Sequence, residues 1–126
     1  MGSSDGVGRY LCKFANGVHF WSRARDVDGR RSPLDVGNWQ MLSATYDGQT
    51  LRLYKNGRRV AQRNVSFEDD EPVVRIAPID PWDQQRRFNG HIANFTIWNT
   101  ALPPEALKIL QDSGPQQQQQ ASGAGQ

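Results

Sequence analysis

The chain has a single cysteine, Cys12, in 126 residues. It therefore has neither an intrachain disulfide framework nor a metal site built from several cysteines. It lacks the run of about 20 apolar residues that a helix needs to cross a bilayer. Its opening, MGSSDGVG, has no basic start and no apolar centre. This predicts no signal peptide on these residues, and export would need a signal upstream. Charge of one sign is also scarce. A formal net charge of +2 gives no electrostatic footprint for nucleic acid, so neither nucleic acid nor membrane is expected as a partner. Histidine is limited to His19 and His91, and neither lies in a motif for nucleophilic catalysis. Each reads as a polar residue on the outer face of a strand. Cys12 lies in an alternating run and reads as a small buried hydrophobe, not a reactive thiol.

What the chain does have is short alternating runs separated by turns. In LRLYKNGRRV (51–60), Asn56-Gly57 supplies two residues that tolerate positive φ, as a type I′ hairpin turn requires. Asp47-Gly48 marks the hairpin before it. The pattern predicts strands over 10–14 and 18–21, joined by Ala15-Asn16-Gly17. Residues 22–37 are charged and carry Gly and Pro, so they read as a long connection. Strands follow over 39–46, 51–55 and 58–65, then an acidic loop over 67–72 and a short strand over 73–77. The longest alternation, 90–99, reads as a strand with both faces partly covered. Pro103-Pro104-Glu105 then starts a helix with Ala106, Leu107, Ile109 and Leu110 on its apolar side. The paired arginines 30–31, 58–59 and 86–87 read as solvated loop ends. About seven strands on tight turns describe an antiparallel sandwich, not a parallel sheet. Residues 1–8 read as a flexible start, 9–112 as the folded body, and 113–126, with its PQQQQQASGAGQ, as a disordered tail.

Two blocks carry a family resemblance. NWQMLSATYDGQTLRLYKNGRRVA (38–61) resembles the signature hairpin of laminin G-like domains, which belong to the concanavalin A-like lectin-glucanase jelly rolls. FNGHIANFTIWNTALPPEALKIL (88–110) resembles that family's closing segment. The resemblance implies an all-β, antiparallel jelly-roll sandwich (concanavalin A-like), incomplete at its N-terminus, with one short C-terminal helix. Its core is expected where Trp39, Leu53, Phe95 and Trp98 meet. It also implies that residues 90–99 keep an exposed edge or apolar face, which invites self-association. The setting it implies is extracellular or at the cell surface.

Retaining glycosidases of this fold need two carboxyls about 5–5.5 Å apart. Glu68 and Asp70 are the nearest pair, but they lie in a run without alternation that ends in Pro72 and reads as a solvated turn. No catalytic residue is assigned. No cofactor is expected beyond calcium, for which Asp26 and Asp28 in Asp-Val-Asp-Gly are a fragment of a loop pattern; an ordinary Asp-Gly turn is the competing reading. Asp80, Trp82, Asp83, Gln85 and Arg86 form the candidate ligand-binding loop. A tryptophan outside any alternating run offers an apolar face to a sugar, and the amides and charged groups around it can meet hydroxyls. The same tryptophan could instead tuck back onto the sheet edge. Trp21 is a second candidate, with Phe20 as the neighbour that could face inward instead. These features give a non-catalytic binding or adhesion module for carbohydrate or an extracellular protein. The alternatives are part of a jelly-roll glycosidase, or a structural spacer with a buried Trp82.

Overall fold

The computed structural model describes residues 9–22, 25–67, 74–80 and 82–115. Strands β1 (Arg9–Phe14), β2 (Gly17–Ser22) and β3 (Val27–Pro33) form one antiparallel sheet in that order. Strands β4 (Leu42–Tyr46), β5 (Thr50–Lys55) and β6 (Arg58–Asn64) form a second. Helix α1 (Pro104–Asp112) follows.

The turns obey their local chemistry. Asn56 and Gly57 have φ of 52° and 76°, the two positive values a type I′ turn demands. Asn56 also reaches back to Met41, whose N–H donates to Asn56 Oδ1 at 2.9 Å and whose carbonyl accepts from Asn56 N–H at 2.8 Å. In the preceding turn, Asp47 Oδ1 accepts from the N–H groups of Gln49 and Thr50 at 2.9 and 2.7 Å, and Arg52 pairs with its other oxygen at 2.8 Å. Arg52 and these two backbone donors hold the Asp47 carboxyl well below the usual carboxylate range.

The sheets stack with β3 over β6 and β2 over β5. Val18, Phe20 and Val27 from the first sheet meet Leu51, Leu53 and Val65 from the second, with Leu42, Tyr46, Val60 and Phe67 at the margin. Phe67 packs edge-on against Tyr46, with centroids 4.8 Å apart, and carries the Arg9 guanidinium 4.3 Å above its ring. Each core side chain this size contributes about 1.5–3 kcal/mol by leaving water.

Several expectations are corrected. Residues 22–37 are not simply a connection, because β3 lies within them. Its inward positions include only Val27 and Gly29, both buried, while Asp28, Arg30 and Arg31 are exposed, so apolar alternation was too sparse to show. Gly29 is a point of close approach and not a turn glycine: a Cβ there would lie 2.7 Å from the Val18 carbonyl oxygen. The strand expected over 39–46 starts only at Leu42. Residue 73 of the expected 73–77 strand lies outside the described residues, as do Glu68 and Asp70. Residues 74–77 form no strand, and Ala77 takes φ of 50°.

The largest correction concerns residues 90–99, which are not in a strand. Asn94 takes a left-handed φ of 56° in the middle of the alternation, and among the described residues no strand pairs with this segment. Of Trp39, Leu53, Phe95 and Trp98, only Leu53 is in the core; the other three are exposed. The core thus centres on the two three-stranded sheets alone. Leu53→Ala should cost about 2–5 kcal/mol in chemical denaturation, whereas Ile97→Ala should stay within about 0.5 kcal/mol. Equal losses for the two variants would show the core to be misplaced.

Candidate functional site

Side chains alternate across a strand, so the face of the first sheet turned away from the core carries Tyr10, Cys12, His19 and Trp21. Cross-strand register places Tyr10 opposite Trp21, Cys12 opposite His19, and His19 opposite Asp28. Phe20 points into the core and Trp21 outward, as its neighbour's burial requires.

Trp82 lies on this face. The Trp82 ring sits edge-on to Trp21 and Tyr10, with centroids 4.8 and 5.6 Å away, while 55% of the residue stays exposed. The loop holds its own shape. Asp80 Oδ1 accepts from the N–H groups of Trp82 and Asp83 at 2.8 and 3.1 Å, an Asx turn. Asp83 Oδ1 accepts from Gln85 N–H at 3.0 Å. Arg86 Nε lies 3.1 Å from Asp80 Oδ2 and 3.7 Å from Asp83 Oδ2. Asp80, Asp83 and Arg86 are thus engaged with one another, while Trp82 and Gln85 are exposed without such a pairing of their side chains.

Asp26 and Asp28 lie on the same face as this loop, beside β2. His19, nearly buried, has Nε2 3.3 Å from Asp26 Oδ2 and Nδ1 3.7 Å from Asp28 Oδ1. The two carboxylates flank opposite edges of one imidazole. Arg30 binds Asp28 through its side chain at 2.7 Å and its N–H at 2.9 Å, which lowers the Asp28 carboxyl to about 2. Asp26 Oδ1 accepts the Ser22 N–H at 3.3 Å. No group of three or more His, Cys, Asp or Glu able to hold a metal ion occurs among the described residues. Asp28 and its glycine lie within β3, not in the Asp-Gly turn that the sequence offered as the alternative to calcium.

Cys12, His19 and Asp28 form one cross-strand row with the residue types of a thiol–imidazole–carboxylate relay. The geometry does not activate the thiol. Both ring nitrogens of His19 face carboxylates, and burial, then the charges of Asp26 and Asp80, push the Cys12 thiol up to about 11. A protonated thiol is a poor nucleophile. Both candidate groups lie near enough to Cys12 for the charges of Asp26 and Asp80 to act on its thiol. The sequence kept these two groups separate, and the sheet brings them onto one surface. Tyr10 and Cys12 were missed as members of that surface; their signal was the alternation of 10–14, read only for packing, while His19 was placed on an outer face and given no role there.

Two stacked antiparallel three-stranded sheets define a β-sandwich. Residues 3–108 match the laminin G-like model of the concanavalin A-like lectin/glucanases superfamily, and the chain belongs to that family. Over 86 residues it is 36% identical to pappalysin-1 of Mus musculus and 34% identical to pappalysin-1 of Homo sapiens. These matches take in 63% of this chain and 5% of each relative, so the matched region is a small part of those proteins. The solved structure of an S-layer domain-containing protein from Clostridium thermocellum shares the fold, with a TM-score of 0.50 at 19% identity. That likeness covers 85% of this chain and 64% of the other.

The Cys12 environment sets a titration. The folded chain holds the thiol proton more tightly than the unfolded chain, whose ordinary value is 9.0. The stability this contributes is present below pH 9.0 and lost as pH rises towards about 11. Thiolate absorbance of the folded chain should rise with a midpoint near 11; a midpoint at or below the unfolded value would refute the buried, unactivated thiol.

Proposed function

We propose that this laminin G-like domain is a non-catalytic recognition module of an extracellular or cell-surface protein. It binds carbohydrate on the outer face of its first sheet. The observation that carries the reading is Trp82: its ring is in T-shaped contact with Trp21 and Tyr10, and more than half of the residue remains open. A half-open indole is an amphipathic surface with an apolar face, held in place before any ligand arrives. Such preorganisation lowers the cost of binding. A spacer domain would have no use for this exposure and would bury the ring.

The residues divide by role. Trp82 stacks on the apolar face of a sugar ring, and the Gln85 amide offers two donors and an acceptor to hydroxyls. Asp80, Asp83 and Arg86 position the loop, because their polar atoms are already paired with each other and with its backbone. Membership of the laminin G-like family supports the setting outside the cell. That pappalysin-1 bears a related segment adds no activity to this domain, since the segment is a twentieth of that protein's length.

On a glycan array the chain should give a specific signal. Trp82→Ala should weaken it at least tenfold, or about 1.4 kcal/mol, while Trp82→Phe retains part of it. Gln85→Ala should weaken it less and leave thermal stability unchanged. No signal from the unaltered chain, or full binding by Trp82→Ala, would sink the reading.

A further inference from the structure

At the end of β6, Asn64, Val65 and Ser66 line an open recess of about 480 Å³ together with Arg25, Gly48 and Gln49. Asn64-Val65-Ser66 is an Asn-X-Ser triplet whose middle residue is not proline, the acceptor pattern for an N-linked glycan. We propose that Asn64 is a glycan attachment site. The inference rests on the setting outside the cell proposed above, because this modification belongs to secreted proteins. It makes no use of the Trp82 face.

The triplet by itself is a weak signal; its placement carries the argument. Val65 is 6% exposed and belongs to the core between the sheets. Its N–H donates to the Gln49 carbonyl at 2.9 Å, and its carbonyl accepts from the Tyr46 hydroxyl at 2.8 Å. The middle residue is thus fixed inward, while Asn64 and Ser66 on either side of it are exposed. The Asn64 amide is also held by the right end. Its Oδ1 accepts from the hydroxyl of Thr50, a buried residue, at 2.7 Å, and its Nδ2 has no hydrogen-bond partner among the described residues.

Nδ2 is the atom that takes the sugar. Transfer joins it to the anomeric carbon of an oligosaccharide carried on a lipid diphosphate. The carbon–oxygen bond to the diphosphate breaks, the amide gives up one proton, and the lipid diphosphate leaves with the bonding electrons. The product keeps the amide carbonyl and one N–H, so the bond from Thr50 and the packing of Val65 both survive the modification. The second triplet of this pattern, Asn94-Phe95-Thr96, is arranged differently. There the Thr96 hydroxyl donates to the Asn94 carbonyl at 3.2 Å, and Asn94 takes a left-handed φ. The proposal does not include it.

The test is secretion of the full chain from cultured animal cells behind a supplied leader. A Thr96→Val background removes the second acceptor. Mass spectrometry should show a glycan on the peptide containing Asn64, and peptide N-glycosidase should release it and leave aspartate at that position. Asn64→Gln and Ser66→Ala should each abolish the modification, and Ser66→Thr should retain it. Ser66→Ala leaves the Thr50–Asn64 bond in place, so it gives the reading even if Asn64→Gln fails to fold. The glycosylated chain should have the far-ultraviolet spectrum of the unmodified Ser66→Ala variant. If a chain is retained in the cell, the same masses are read on the retained material. An unmodified Asn64, a glycan that survives Ser66→Ala, or a glycosylated chain without the sheet spectrum would each overturn the proposal. Because the leader is supplied, an unmodified Asn64 counts against this site and leaves the recognition reading standing. An absent glycan-array signal does the reverse.

Discussion

The contact between Val18, Phe20 and Val27 on one sheet and Leu51, Leu53 and Val65 on the other is the constraint on which the rest depends. Each three-stranded sheet buries one apolar face against the other. Once the sheets are stacked, strand alternation leaves no freedom elsewhere. Phe20 must point inward, so His19 and Trp21 point outward, and the outer face is fixed residue by residue. The Trp82 platform is therefore a consequence of packing on the opposite side of the sheet.

That outer face shows how similar residue types can serve different ends. The Cys12–His19–Asp28 row has the members of a catalytic relay and none of its polarity. The imidazole lies between two carboxylates, and the thiol is held protonated by burial and by negative neighbours. Residue identity alone does not distinguish an activated nucleophile from a packed polar cluster; the direction of the electrostatic field does. The loop at residues 80–86 makes the same point. Three of its five polar or aromatic candidates hold the loop together, which leaves Trp82 and Gln85 as the exposed members outside that network.

Residues 88–99 mark the boundary of what two three-stranded sheets can cover. The segment has the composition of a buried strand, yet an extended chain needs a neighbour to accept and donate its ladder hydrogen bonds. Among the described residues no strand pairs with it; Asn94 takes a left-handed φ, and Ile92, Phe95, Ile97 and Trp98 stay about half exposed. The pattern was read correctly as apolar and alternating, and wrongly as a strand, because a strand is a property of a pair.

The features legible in the chain itself were those set within a few residues. They include the Asn56-Gly57 and Asp47-Gly48 turns with the strands they join, the proline-led start of α1, and the sandwich class that these imply. Backbone preferences and short-range hydrogen bonds act at that distance, so they are written locally. What tertiary structure decided was everything requiring a second element. It formed β3 from a charged stretch in which only Val27 and Gly29 face the core, left Phe95 and Trp98 uncovered, and gathered Cys12, His19, Trp21 and Trp82 onto one surface. Those outcomes depend on which segments touch, and no local pattern encodes a contact between residues that far apart in the chain.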